Sequence, residues 1–199
     1  MDAVKRAMQE LELISKRAYH RGLTAGSGGN ISARVEGTDQ VVIKCSGVSF
    51  VDCSEENIIL VDLYGNVLEG ALKPSKEVKF HCGIYRVRPE VRAVVHTHSP
   101  AATAYSVVGK EIPMVTVSAA KGVVRTPVIG YAPPGSDELA ELVMECFRDA
   151  TLKAALLRNH GVISVAKNLF EALYQAEVVE DTAKIAILAE RLGTPLQFE

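Results

Sequence analysis

Two histidines, His96 and His98, stand one residue apart in the run "AVVHTHS", 93–99. In a strand, residues i and i+2 project from the same face, so both imidazoles lie side by side while Thr97 faces away. Ala93, Val94 and Val95 make the surroundings dry, and imidazole is costly to bury unless something engages its nitrogens. Such pairs arise by chance, and for the pair alone the favoured reading is two unrelated strand-end histidines, one bonded to a backbone carbonyl. A third histidine changes the balance. His160 lies in "LLRNHGVIS", 156–164, where the apolar segment Ala154–Leu157 runs into Asn159, His160 and Gly161. Gly161 is expected to allow a tight turn past the imidazole. Three strand-end histidines with a fourth position open form the ligand set of a catalytic zinc site, one ion per chain. The other two, His20 and His81, sit in helical patterns beside charged residues and read as exposed or half-buried surface histidines.

A second constellation lies in "EGALKPSKEVKFH", 69–81. Pro74 fixes the entry, Ser75 caps a helix, and backbone N–H groups at such an end bind anions. Lys76 adds a positive charge, and Glu77 is a carboxylate in the first turn. Alone, these residues read as simply a good helix start. "GSGGNIS", 26–32, supplies exposed N–H groups and the amide of Asn30, but it lacks the lysine and hydroxyl of a Walker loop. "CSGVSF", 45–50, is a third small-residue turn, with Ser46 and Gly47 as donors. Flexible turns are the default reading of each, whereas three together, one bearing a lysine, could surround a phosphate through nest-like contacts.

The elements that would carry these residues follow from periodicity. Val4, Ala7, Met8, Leu11, Ile14 and Ala18 recur at helical spacing over 2–21, with Gly22 closing the end. "ISARV", "QVVIKC" and "NIILVDL" read as short strands, and the "YGN" turn into "VLEG" as a hairpin. A helix is expected from Ser75 to about Arg88, stopped by Pro89. "VRAVVHTH" is the next strand, and "SPAATAYSVV" a helix capped by Ser99. Strand-like segments recur at 112–117, 122–129, 153–158 and 161–166, and helices at 136–148 and 168–192. Strands come in adjacent runs rather than alternating one for one with helices. The expected fold class is therefore α/β of the α+β type, a single domain over 1–199 with a mixed, largely antiparallel sheet between helical layers.

Composition bounds the rest. A 48% hydrophobic and 23% charged chain has the profile of a soluble globular protein. A net charge of −2 leaves no basic footprint for nucleic acid, so any anion must be gripped locally. No apolar run is long enough for a bilayer span. Cys45, Cys53, Cys82 and Cys146 form no CxxC pair, and the N-terminus has no signal-peptide pattern, so the expectation is reduced thiols in the cytoplasm.

Taken together and in this order, "GSGGNIS", "SGVSF", "EGALKPSKE", "AVVHTHS" and "LLRNHGV" resemble the class II aldolase/adducin head family, over nearly the whole chain. The resemblance implies a central, mainly antiparallel sheet covered by helices in three layers, usually assembled as a four-fold homotetramer. It implies zinc on His96, His98 and His160, with Glu77 as acid/base residue and a possible fourth ligand. The phosphate pocket would use Ser27, Gly29, Asn30, Ser46, Gly47, Ser75 and Lys76. Tyr131, in "IGYAPPGSDEL", matches a family tyrosine that reaches a neighbouring subunit's site. The implied reaction is reversible cleavage of a ketose 1-phosphate, such as L-fuculose 1-phosphate or a related deoxypentulose phosphate, to dihydroxyacetone phosphate and an aldehyde. Two departures stand out. Ser75-Lys76 replaces a common pair of serines, and nothing matches the second tyrosine that some members carry in a longer C-terminal tail.

The same motifs suit other zinc sugar-phosphate enzymes of this scaffold, namely a pentulose-phosphate 4-epimerase, a methylthioribulose-phosphate dehydratase or a tetronate-phosphate decarboxylase. A non-catalytic adducin-like interaction module would lack the metal histidines, all of which are present. A Schiff-base aldolase would need a lysine in an apolar pocket, and Lys73, Lys76 and Lys121 sit beside turns instead.

Overall fold

The structure, a computed structural model, describes residues 3–195. The expected helix start at residue 2 and the outermost ends of the 1–199 domain lie outside the described residues. Within them the chain runs α1 (Ala3–His20), β1 (Asn30–Arg34), β2 (Gln40–Lys44), β3 (Ile58–Asp62), β4 (Val67–Glu69), α2 (Val78–Val87), β5 (Ala93–Thr97), α3 (Pro100–Val107), α4 (Val117–Gly122), β6 (Val128–Ile129), α5 (Asp137–Phe147), β7 (Ala154–Leu157), β8 (Gly161–Ala166) and α6 (Leu169–Leu192). The strands form one sheet in the order β4-β3-β2-β1-β5-β8-β7-β6. Each neighbouring pair is antiparallel except β6–β7. No helix among the described residues is long and apolar enough to cross a membrane.

Side-chain alternation divides the core between the two faces of the sheet. Val41, Ile43, Val94 and Val165 turn toward Phe80, Ile84, Val143 and Phe147 of α2 and α5. Ile31, Val42 and Val95 turn the other way, onto Leu11 and Ile14 of α1 and Leu173 of α6. Farther along that second face Leu156 and Val162 meet Ala102 of α3 and Ala183 of α6. Because both faces are covered, "VVI" and "AVV" read as continuous apolar runs rather than as alternation. The result is the three-layer mixed α/β fold that was expected.

Three local expectations differ from the structure. The run 112–117 is not a strand. It leads into α4, whose first turn is capped when Thr116 Oγ1 accepts from the backbone N–H of Ala119 at 3.2 Å. Of 122–129, only Val128–Ile129 pairs, at the sheet edge. Ile112, Val115 and Val123 pack into the cluster with Ala102 of α3 and Ala183 of α6 instead of joining a ladder. Second, α2 begins at Val78 rather than Ser75. Residues 73–75 stay extended beside the end of β2, through a Cys45–Pro74 bridge and a bond from Ser75 N to Lys44 O. Third, the Ser99 side chain does not cap α3 but bonds to Leu23 O. The carboxylate of Glu180, on α6, caps that end by accepting from Ala101 N and Ala102 N at 3.2 and 3.0 Å.

Candidate metal centre and phosphate cleft

Strand pairing assembles the histidines. In β5, Val94 and His96 share the face that packs on α2, and the next same-face residue is His98. The antiparallel β7–β8 hairpin closes at Leu157–Gly161, which swings His160 over β5. Its turn residue is Asn159, in left-handed backbone with φ of 57°. Asparagine tolerates that region by local hydrogen bonding. Gly161 serves a different need from the expected tight turn. A Cβ there would lie 2.3 Å from Thr97 O, 3.1 Å from the His98 ring and 3.2 Å from the His96 ring. Gly28 is similarly placed, since a Cβ there would lie 2.6 Å from His98 Nδ1.

The three imidazoles form a near-equilateral triangle, with ring centroids 4.8, 5.0 and 5.1 Å apart. Their ligand atoms all lie within 4.8 Å of one another. His96 donates from Nδ1 to Val162 O at 2.8 Å, so its Nε2 carries the lone pair. That nitrogen lies 3.3 Å from Glu77 Oε2, and His160 Nε2 lies 3.4 Å from Glu77 Oε1. Burial, reinforced by the neighbouring rings, holds His96 well below the ordinary histidine range; burial and His160 also lower His98. A neutral ring nitrogen therefore faces a carboxylate, acceptor against acceptor. His96 Nε2, His98 Nε2 and Glu77 Oε1 are all buried without a hydrogen-bond partner. Buried orphans of this kind are costly. A cation among them satisfies every one, and three imidazoles with a carboxylate suit a divalent metal that favours nitrogen and oxygen donors.

Above this group opens a cleft of about 440 Å³. Ser27, Gly29, Asn30, Ser46, Gly47, Ser75, Lys76, Glu77, His98 and His160 all line it, whereas His96 is wholly buried against His98 and His160 and does not line it. The extended segment 73–75 joins two of the three turns, because Ser46 N bonds to Lys73 O at 2.9 Å alongside the Cys45–Pro74 bridge. Gly29 has φ of 73°, and a Cβ there would lie 2.6 Å from His96 O, so this turn must approach β5 closely. Ser75 Oγ accepts from Glu77 N at 3.3 Å and sets the carboxylate at the entry to α2. Tyr131 does not line the cleft of its own chain. It is 62% exposed, while Pro134 of the same loop reaches the rim.

Two contributors escaped the sequence reading. Lys44 is buried, and burial lowers its pKa. Its Nζ donates to Cys45 O at 3.1 Å and to Val48 O at 2.5 Å, bracing the Ser46–Gly47 turn. Lys73, Lys76 and Lys121 are exposed and none sits in an apolar pocket, although Lys121 lies in the last turn of helix α4 rather than beside a turn. His81 was expected at the surface but is wholly buried. It stacks on Phe80 at 4.7 Å between ring centroids, and burial pushes its pKa down to about 3. The missed signal is its spacing, since Glu77, His81 and Tyr85 recur every four residues and so share one helix face.

Residues 9–187 match the family described as the Class II Aldolase and Adducin N-terminal domain. The chain belongs to this family. A relative named L-fuculose phosphate aldolase, from Methanococcus maripaludis, is 36% identical over 185 residues, covering 93% of this chain and 98% of the relative. A relative from Haemophilus influenzae named 3-oxo-tetronate 4-phosphate decarboxylase is 37% identical, over 90% of this chain and 86% of its own. A solved structure titled L-fuculose 1-phosphate aldolase superposes with a TM-score of 0.91 at 32% identity, covering 98% of this chain and 91% of that one. Membership of the family supports an aldolase-type lyase, and His96, His98 and His160 form a group that could hold a metal.

Proposed function

We propose that this protein is a zinc-dependent aldolase that reversibly cleaves a ketose 1-phosphate, L-fuculose 1-phosphate or a related deoxypentulose phosphate, into dihydroxyacetone phosphate and an aldehyde. One observation carries the reading: the buried atoms His96 Nε2, His98 Nε2 and Glu77 Oε1 lack hydrogen-bond partners, and His98 and Glu77 line a cleft walled by three donor-rich turns. His96, His98 and His160 would hold one zinc, with Glu77 as a possible fourth ligand. When bound, zinc supplies a Lewis acid for the substrate's carbonyl and adjacent hydroxyl.

This chain's residues do the rest. Backbone and hydroxyl donors of Ser27, Gly29, Ser46, Gly47 and Ser75 grip the phosphate, joined by Lys76 and by the Asn30 amide proton not given to Glu77. That grip fixes the reacting carbon beside Glu77. In the synthetic direction Glu77 removes the proton from C3 of dihydroxyacetone phosphate. In cleavage it returns that proton. Tyr131, exposed on its own subunit, serves the aldehyde end of a neighbour's site in a homotetramer. The absence of a membrane-spanning helix among the described residues and the free cysteines fit a cytoplasmic enzyme.

A sugar-phosphate screen with coupled detection of dihydroxyacetone phosphate tests the reaction. Glu77→Gln tests the base. The variant should bind zinc and dihydroxyacetone phosphate yet lose C3 hydrogen–deuterium exchange by roughly a hundredfold or more. Exchange at the wild-type rate in the zinc-loaded variant removes Glu77 from this role. The decarboxylase relative favours a second reading, in which the same cleft cleaves a carboxylate from a phosphorylated 3-oxo acid. Carbon dioxide release from such a substrate, with no dihydroxyacetone phosphate from any ketose 1-phosphate, would replace the first reading with the second.

A further inference from the structure

Beneath the cleft runs a wholly buried line of side chains. Asn30 Nδ2 lies 2.7 Å from Glu77 Oε2, and Asn30 Oδ1 makes a short contact with His81 Nε2. His81 Nδ1 lies 2.7 Å from Ser32 Oγ, which lies 2.7 Å from Tyr85 Oη. None of the five residues is more than 6% exposed.

An ionised carboxylate only accepts hydrogen bonds, and each remaining assignment follows from that. Glu77 Oε2 requires the Asn30 amino group, which turns Asn30 Oδ1 toward His81. That oxygen also only accepts, so His81 must be protonated at Nε2 and bare at Nδ1. Ser32 then donates to Nδ1, and Tyr85 donates to Ser32. Four hydrogen bonds therefore point one way, from the phenol to the carboxylate. The two ends of an amide have nearly the same shape, so packing alone does not stop Asn30 from turning over.

We infer that His81 is a positioning residue. Donating from Nε2, it locks the Asn30 amide so that Glu77 Oε2 stays bound and Oε1 is left as the oxygen that takes the substrate proton. The inference rests on the proposed role of Glu77. The line of bonds survives the chemistry, because a proton arriving on Oε1 leaves Oε2 an acceptor. With Asn30 turned over, two acceptors would face each other and the carboxylate would be driven from its place. Ser32 and Tyr85 act behind His81 by holding its tautomer, as outer partners do for metal-bound imidazoles.

Three variants and one spectrum test this on the protein as purified. His81→Leu removes the donor and should lower kcat roughly ten- to hundredfold, the range for loss of such a partner. Zinc content should stay near wild type, because His96, His98 and His160 are untouched, and KM should change much less than kcat, because Asn30 is the one phosphate donor displaced. His81→Gln, which offers an N–H and a carbonyl in similar positions, should restore most of that turnover. Tyr85→Phe removes the far donor and should give a smaller loss in the same direction. In protein labelled with nitrogen-15 histidine, the resonances missing from His81→Gln should show a ring protonated at Nε2 alone. A folded, zinc-loaded His81→Leu with wild-type turnover overturns the inference, as does protonation at Nδ1. If His81→Leu fails to fold, Tyr85→Phe with wild-type turnover overturns it, and a selective fall in kcat upholds it. Should the wild type exchange no carbon-bound proton, the proposed reaction fails by itself. The tautomer then still decides whether His81 orients Asn30.

Discussion

Gly161 and Thr97 sit so close across the β5–β8 pair that a Cβ on Gly161 would lie 2.3 Å from Thr97 O. The same Cβ would press on the rings of His96 and His98. Gly161→Ala should therefore push β8 off β5 and spread the three histidines. Overpacking of this kind costs about 1–3 kcal/mol, and the metal should bind more weakly as well. Gly130, with open space around its Cβ position, is the control. Chemical denaturation and zinc content should fall together in Gly161→Ala and stay level in Gly130→Ala.

Metal removal is the next test. Elemental analysis of protein purified without chelator should find about one zinc per chain. Chelation should abolish activity and zinc restore it. A metal that binds only the folded chain also stabilises it, by about 4 kcal/mol at a thousand times Kd. The melting temperature should thus rise with zinc in the wild type and much less in His160→Ala. Full activity after exhaustive metal removal, or a covalent adduct trapped by borohydride, points to a lysine mechanism instead.

Lys76 should matter for binding more than for turnover. Its side chain is exposed at the cleft rim, so its pull on a phosphate is open to screening. Lys76→Ala should weaken dihydroxyacetone phosphate binding by up to roughly fivefold at low salt, in line with about 1 kcal/mol for an exposed charge pair. That penalty should shrink as salt is added. Equal affinity of variant and wild type removes Lys76 from the pocket.

The buried histidines predict how stability depends on pH. His81 is held near 3, and burial also lowers His96 and His98. In the unfolded chain each returns to about 6.5. Below that value the unfolded state binds more protons, so stability rises with pH. The contribution is fully present above about pH 6.5 and is lost as pH falls toward 3. Each such histidine contributes a slope of up to about 1.4 kcal/mol per pH unit. Denaturant midpoints of zinc-free protein between pH 8 and 5 should fall on the acid side, and less steeply in His81→Gln. A flat profile would show that the rings accept protons in place.

Assembly has its own test in Tyr131. If Tyr131 serves a neighbour's site, inactive Tyr131→Phe chains mixed with inactive Glu77→Gln chains should regain some activity. Mixed oligomers would contain sites with one intact residue from each chain. A fully active monomer at high dilution refutes the shared site.

What the sequence determined by itself is local. The two-residue period of a strand puts His96 and His98 on one face, and adjacent strand runs imply an antiparallel sheet with helical cover. Small-residue turns mark where backbone donors can face an anion, and the ordered set of motifs carries the family. These features need only a few neighbouring residues, so they are legible without a fold. The tertiary structure decided what depends on residues far apart in the chain. The β1–β5 pairing sets Asn30 beside His96, and packing of α2 on β1 turns His81 from an expected surface residue into a buried one. A polar residue reads as surface in a helical pattern because its partners, Asn30 and Ser32, lie about fifty positions earlier. Ser75 likewise reads as a helix cap until the end of β2 claims residues 73–75 and delays the helix to Val78. Lys44 reads as the polar end of a strand until the 45–48 turn folds its carbonyls over the ammonium. Local propensity ranks the conformations each segment can take, and burial with hydrogen-bond satisfaction across the sheet chooses among them.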